Sequence, residues 1–237
     1  MRNDFRGVAS CLPDIPRWVE TRGMLLTGRG EILGAASKSS PDFVVRGLNN
    51  RLISVVGKPD ALCLNQAVAK SGLEVEVLAM PENDGYVGSI LQGWCRSPAI
   101  LHRLAQPIQF QIRKDVTVQF IRQRGLHSLQ EDFSDLVGEL FDALDFTDIA
   151  AVMVENQPVS FCYAGGETET LWDISIDTLP DHRRRGYADH CVSFLIDHMA
   201  RRGKQPVWGA EESNMASLTL AAKLGFKPVD RVTVLRR

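Results

Sequence analysis

Apolar positions recur at two periods along the chain, and the switches between them mark out its elements. Residues 52–56, Leu-Ile-Ser-Val-Val, are an almost unbroken apolar run, which predicts a buried strand. After the turn Gly57-Lys58-Pro59-Asp60, Asp60 stands where its carboxylate can cap a helix carrying Ala61, Leu64, Ala67 and Val68, and Gly72 stops that helix. Residues 73–78 alternate apolar side chains with Glu74 and Glu76, the period of a strand with one wet face. Residues 83–94 read as a helix with a core-facing Trp94. Thr27-Gly28-Arg29-Gly30 and residues 37–41 are turn-rich. The first half therefore reads strand–helix–strand–helix, an α/β pattern.

Gln106-Pro107 is the best boundary, dividing the chain into lobes 1–106 and 107–237. Residues 108–112 and 116–121 read as strands. Phe133, Leu136, Val137, Leu140, Phe141 and Leu144 then recur at the spacing of one helix face. Three strands follow at 150–154, 159–164 and 171–179, the first two joined as a hairpin through Glu155-Asn156-Gln157-Pro158, with Gly165-Gly166 opening the next turn. A helix from Tyr187, a strand at 207–210, a helix from Met215 to Leu224 closed by Gly225, and a last strand complete the pattern.

Composition narrows the function classes. A chain of 237 residues allows two small lobes. Its net charge of −2 gives no global electrostatic case for nucleic acid or an anionic membrane. No run of about 18 apolar residues marks a membrane span. Cys11, Cys63, Cys95, Cys162 and Cys191 are scattered and form no C-x-x-C pair, which fits a reducing cytoplasm and neither a disulfide framework nor a zinc site. His190 and His198 lie too far apart on one helix to share a metal, and no metal is expected. In Gly28-x-Gly30-x-x-x-Gly34 the third glycine comes one residue late for a dinucleotide fingerprint.

The candidate chemistry sits in Thr178-Leu179-Pro180-Asp181-His182-Arg183-Arg184-Arg185-Gly186-Tyr187-Ala188, which follows a strand and opens a helix. A helix N-terminus leaves about four backbone N–H groups unpaired and carries partial positive charge, so it can cradle a pyrophosphate. Gly186 lets a phosphate approach the backbone, Ala188 keeps the first helical turn small, and the three arginines add charge-assisted contacts. Arg183-x-x-Gly186-x-Ala188 resembles the (Gln/Arg)-x-x-Gly-x-(Gly/Ala) signature of the GNAT acetyltransferases. A second block strengthens the resemblance: the strand Val207-Trp208-Gly209-Ala210, then Asn214, Ser217, Leu218 and Leu220, then Lys223-Leu224-Gly225-Phe226.

The resemblance covers the second half and implies an acyl-coenzyme-A acyltransferase fold with a mixed, centrally splayed sheet, preceded by a smaller α/β lobe, itself acyltransferase-like in outline, that helps form the acceptor site. It implies acetyl-coenzyme A as cosubstrate and a small primary amine as acceptor, and leaves room for a homodimer. Pantetheine would enter between the strands at 171–179 and 207–210, near Thr178 and Leu179; Arg183, Arg184, Arg185, Gly186, Tyr187 and Ala188 would hold the pyrophosphate, with Asn214 and Ser217 toward the pantetheine arm. A strand N–H near Thr178 would stabilise charge developing on the thioester oxygen. Glu169 and Asp173 lie where some members carry a catalytic glutamate, and a solvated role for either carboxylate is the competing reading. A tyrosine that often protonates the leaving thiolate is replaced by Ala221, leaving that step to water, Tyr187 or Tyr163, or marking a binding module without catalysis.

Overall fold

The strands predicted at 52–56 and 171–179 occupy equivalent places in the two halves of one sheet. The structure, a computed structural model, describes residues 5–36, 41–106, 113–126, 129 and 133–237. In chain order the N-terminal half contributes α1 (Phe5–Ala9), α2 (Val19–Thr27), β1 (Gly30–Ala36), β2 (Pro41–Gly47), β3 (Leu52–Val56), α3 (Ala61–Ser71), β4 (Glu76–Ala79), α4 (Asp84–Ile90) and β5 (Cys95–Leu104). The remainder contributes β6 (Thr117–Ile121), α5 (Ser134–Leu144), β7 (Ile149–Val154), β8 (Gln157–Glu167), β9 (Leu171–Thr178), α6 (Tyr187–Arg201), β10 (Gln205–Glu211), α7 (Met215–Lys223) and β11 (Phe226–Arg236).

The strands form a continuous sheet in the order β1-β2-β3-β4-β11-β5-β10-β9-β8-β7-β6. That order is nearly a palindrome about the antiparallel β11–β5 pair. On each side an antiparallel run leads to a parallel pair, β3 with β4 and β9 with β10, each linked by a crossover helix, α3 or α6. The two halves exchange their last strands: β5 pairs with β10, and β11 pairs with β4. The sheet thus runs uninterrupted across residue 106.

Along β9, Trp172 and Ile174 pack into the core shared with α6, whereas Leu171 joins Val19 of α2 on the opposite face. Strand alternation therefore turns Asp173, Ser175 and Asp177 toward α2. Helix α5 lies on that face too, because Glu139 accepts a hydrogen bond from Tyr163 of β8, the cross-strand partner of Ser175.

Several expectations meet the structure directly. Asp60 caps α3 by accepting from the Leu62 N–H at 2.8 Å. The hairpin between β7 and β8 is tight, with Glu155 and Asn156 both at positive φ between Val154 and Gln157, as a two-residue turn of the right twist requires. The helix expected over 83–94 ends at Ile90, and the strand expected over 73–78 begins only at Glu76, leaving Leu73 76% exposed. The strand expected at 108–112 lies outside the described residues. Gly165 and Gly166 do not open a turn; they sit inside β8, because α2 crosses there with almost no clearance. A Cβ on Gly166 would stand 3.2 Å from the Glu20 Cα, and one on Gly23 would stand 3.0 Å from the Glu167 nitrogen. Facing glycines let the helix lie on the strand.

Candidate active site

The parallel ladder between β9 and β10 is short. Its partners are Leu171–Gln205, Trp172–Pro206 and Val207–Asp173. Beyond them β10 continues to Glu211 along β5, and β9 continues to Thr178 along β8. Among the described residues no hydrogen bond joins 174–178 to 208–211. A gap therefore opens at Asp173, and the β9 edge lining it keeps backbone donors and acceptors available for an extended ligand. Buried Trp172, at the same level on the α6 face, has an indole N–H with no partner among the described residues.

The open end of the gap meets the start of α6. Gly186 is its N-cap at φ 80° and ψ 10°, a left-handed conformation that glycine adopts without strain. Only Asp189 Oδ2, at 3.8 Å, approaches the place where a Cβ on Gly186 would stand, so the cradle is clear. Arg183 Nε donates to the Thr178 carbonyl at 3.0 Å and Leu179 N donates to Val159 O at 2.9 Å, which folds the loop back onto the strand. Thr178 and Ser160 share a hydroxyl hydrogen bond of 2.8 Å. Arg184 and Arg185 are exposed beside Gly186, without an ion pair among the described residues, and Tyr187 and Ala188 begin the helix. The residues fit a pyrophosphate: consecutive helix N–H groups, an unobstructed glycine and uncommitted guanidinium groups. A cavity of about 390 Å³ adjoins Tyr187, lined also by Arg113, Gln119, Met153 and Asn156; it borders the loop, and no residue of β9 or β10 lines it.

On the opposite face, the expected carboxylates part company. Glu169 lies in the turn before β9 and is held by Arg22 of α2 at 2.6 Å. Asp14 reinforces that turn by accepting from the Thr168 hydroxyl and from the hydroxyl and N–H of Thr170. Asp173 instead stands where the ladder ends. Burial raises its pKa well above the ordinary carboxylate value, and the nearby charge of Glu20 raises it further. Glu20, on α2, is itself pushed up to about 7 by burial and then by Glu76. Asp177 is raised by burial and by Glu139, with Arg183 opposing. Tyr163 keeps its proton firmly, through burial first and then through Glu139. Sequence reasoning missed Glu20. Its only signal is an acid inside the apolar stretch Trp18-Val19-Glu20-Thr21, and nothing local says what lies opposite.

Asn214 and Ser217 are engaged at the start of α7. Asn214 Oδ1 accepts from the Ser217 N–H at 3.1 Å, and the Ser217 hydroxyl accepts from Trp208 Nε1 at 2.9 Å, which ties α7 to β10. Ala221 is fully buried in the core with Leu224 and Phe226. A tyrosine there has no room without moving its neighbours.

The equivalent place in the N-terminal half is closed. The ladder of β3 with β4 ends at Ser54–Leu78. Asn83, 1% exposed, donates from Nδ2 to the Val55 and Gly57 carbonyls and accepts from the Met80 N–H, stitching the two strand ends together.

This geometry can be set beside known proteins. Over 84 residues the chain is 33% identical to the "Uncharacterized N-acetyltransferase YdfB" of Bacillus subtilis, a match that spans 35% of this chain and about a third (32%) of that protein's length. The GCN5-related N-acetyltransferase-like protein from Streptococcus suis superposes with a TM-score of 0.71 at 21% identity, covering 100% of both chains. A tandem GNAT protein from the clavulanic acid biosynthesis pathway gives 0.62 at 10% identity, over 98% of this chain and 95% of that one. At such identities the superpositions establish the fold alone. The sequence model described as GNAT acetyltransferase matches residues 101–235, from β5 through the splayed pair, the Gly186 cradle and β11, so the chain belongs to the GNAT acetyltransferase family.

Proposed function

We propose that the protein is an N-acetyltransferase that moves an acetyl group from acetyl-coenzyme A to the primary amine of a small molecule, by direct attack within a ternary complex. The observation that carries this reading is the gap between β9 and β10, which runs from Asp173 to the Gly186 cradle. The pyrophosphate rests on the first N–H groups of α6, between Arg183, Arg184 and Arg185 and against Tyr187 and Ala188. Pantetheine extends along the free edge of β9 past Leu179 and Thr178, and a strand N–H near Thr178 receives the developing charge of the thioester oxygen. Asn214 and Ser217 contribute by holding α7 beside the arm. The acceptor amine approaches from the face that carries Asp173, where a carboxylate receives its proton. Coenzyme A leaves as the thiol.

The division into lobes 1–106 and 107–237 belongs to the same proposal. The first repeats the strand and helix order of the second, with Asn83 closing the place where a second cofactor would enter, and lends α2 to the acceptor site. A cytoplasmic setting suits the cosubstrate, and a homodimer is compatible with the arrangement. Among the described residues no helix is long and apolar enough to cross a membrane. Fully buried Ala221 favours a second reading, an acyl-coenzyme-A-binding module without catalysis, because it removes the family's usual proton donor to the thiolate. Thiol release from acetyl-coenzyme A in the presence of pooled amines separates the two. The enzyme releases thiol in proportion to an acetylated amine found by mass spectrometry; binding of coenzyme A with no product from any amine supports the module.

A further inference from the structure

The face of the sheet covered by α2 is rich in acids, and nearly all of them are matched. Glu76 and Glu211 share Arg236, Glu167 meets Arg202 and Lys204, Glu169 meets Arg22, and Asp14 is satisfied by two threonines. Asp177, farther along β9, has Arg183 and Glu139 as its charged neighbours. Two acids stand apart. Among the described residues neither Glu20 nor Asp173 has an ion-pair or hydrogen-bond partner, and neither is sealed from solvent.

Their placement is not incidental to the fold. Asp173 is the last β9 residue paired with β10, so its carboxyl stands at the vertex of the gap. The neighbouring strands carry glycine beside it: Cβ atoms on Gly165 and Gly209 would lie 3.3 Å from its Oδ2 and 4.0 Å from its Oδ1. Glu20 is brought to the same place by the contact between α2 and Gly166, and the Arg22–Glu169 and Asp14–Thr170 ties hold α2 over the start of β9. Elements separated by about 150 residues are thus locked so that two unmatched carboxyls come within electrostatic reach of each other at the closed end of the gap.

We propose that Glu20 and Asp173 form one proton-sharing pair, and that Glu20 is the catalytic base that takes the proton from the acceptor's ammonium group. The inference rests on the acetyltransferase reading above. The electrostatics of the pair agree with that placement. Burial raises both acids, Glu20 to about 7 with Glu76 adding to the effect, and Asp173 further through the charge on Glu20. Two buried carboxyls that repel each other share one proton and one negative charge over a wide pH range. That charge attracts an ammonium ion. Glu20 removes one proton to leave the free amine and a neutral glutamic acid. The amine nitrogen attacks the thioester carbon, the C–N bond forms, the C–S bond breaks with its electron pair on sulfur, and the second amine proton passes to the thiolate. Glu20 then returns its proton to water. This group comes from outside the region that defines the family, so the N-terminal segment takes part in the chemistry.

The test uses the full chain, acetyl-coenzyme A, and a pool of linear diamines, amino alcohols, amino acid amides and a lysine-containing peptide. On whichever amine reacts, Glu20→Gln lowers kcat at least about tenfold, within the range typical of a lost general base, and leaves coenzyme A affinity within about twofold. The parental rate rises with pH through about 7, as Glu20 ionises, and the glutamine variant loses that acidic limb. Glu20→Asp keeps a limb at a lower rate and carries the test if the glutamine variant does not fold. The double variant with Asp173→Asn costs no more than the worse single change, because the two act as a unit. A Glu20→Gln enzyme with the parental rate overturns the proposal, and so does a slower enzyme whose acidic limb has not moved, since that makes Glu20 structural. A parent protein that binds coenzyme A and acetylates no amine overturns the acetyltransferase reading itself.

Discussion

The two parallel strand pairs, β3 with β4 and β9 with β10, share a topology and differ in what fills the place where their strands diverge. At the first, Asn83 spans the ends with three hydrogen bonds. At the second, Asn214 occupies the matching position, as the N-cap residue of the helix that follows, and turns its side chain to its own helix. Beyond Asp173 the strands are left apart. The cradle differs as well: Gly186 heads α6 beside three arginines, whereas Asp60 heads α3 and places a carboxylate where an anion would sit. On the proposed reading, the capacity to hold a cofactor is therefore a property of a few residues at the divergence and not of the fold that carries them.

The comparison breaks most completely at Gly186. Gly186→Glu gives the open pair the carboxylate that the closed pair already has, and coenzyme A affinity measured by calorimetry falls at least about a hundredfold, or about 2.7 kcal/mol. Folded protein with undiminished affinity sinks the assignment of the cradle. Next in size is Gly166→Val, which places side-chain atoms where the Glu20 Cα now sits within 3.2 Å. It pushes α2 off β8, so turnover drops at least about tenfold, as for a displaced general base, while coenzyme A affinity stays within about twofold. Equal losses in both would mean that α2 supports the whole gap and not its acceptor side alone. Smaller again is Asn83→Ala, which strands a buried N–H and two carbonyls and lowers stability to denaturant by about 1–3 kcal/mol, with no change in cofactor binding. Asn214→Ala, the same change at the matching place, loses only a helix cap, about 1 kcal/mol. If coenzyme A affinity drops about tenfold with it, Asn214 is a ligand as well as a cap.

The loop proposed as a cradle has the local structure that the sequence announced, a strand end followed by a helix opened by Gly186, because it is built from consecutive residues and needs no other part of the chain. The strands and helices of 149–236 were legible for a related reason, since each carries its own period, its own turn and its own cap. β1 and β5 were not. β1 holds two glycines, and β5 mixes Arg96, Pro98, His102 and Arg103 with apolar residues, because its place in the centre of the sheet comes from pairing with β10 and β11 and its first half stays largely exposed. Glu169 and Asp173 are four apart and looked alike from the sequence. Arg22 separates them, and it lies about 150 positions away. The same distance hid Glu20.

The exchange of β5 and β11 has a consequence for how the protein is made. β5 leaves the ribosome as one of the most central strands of the sheet, yet both of its partners, β10 and β11, are encoded about a hundred residues later. Until then its two edges stand open, and β4 likewise lacks a neighbour on one side. Neither half can close its own sheet first, so the two halves must assemble together, and long-range pairing of this kind is slow and leaves strand edges open to wrong partners until β10 and β11 arrive.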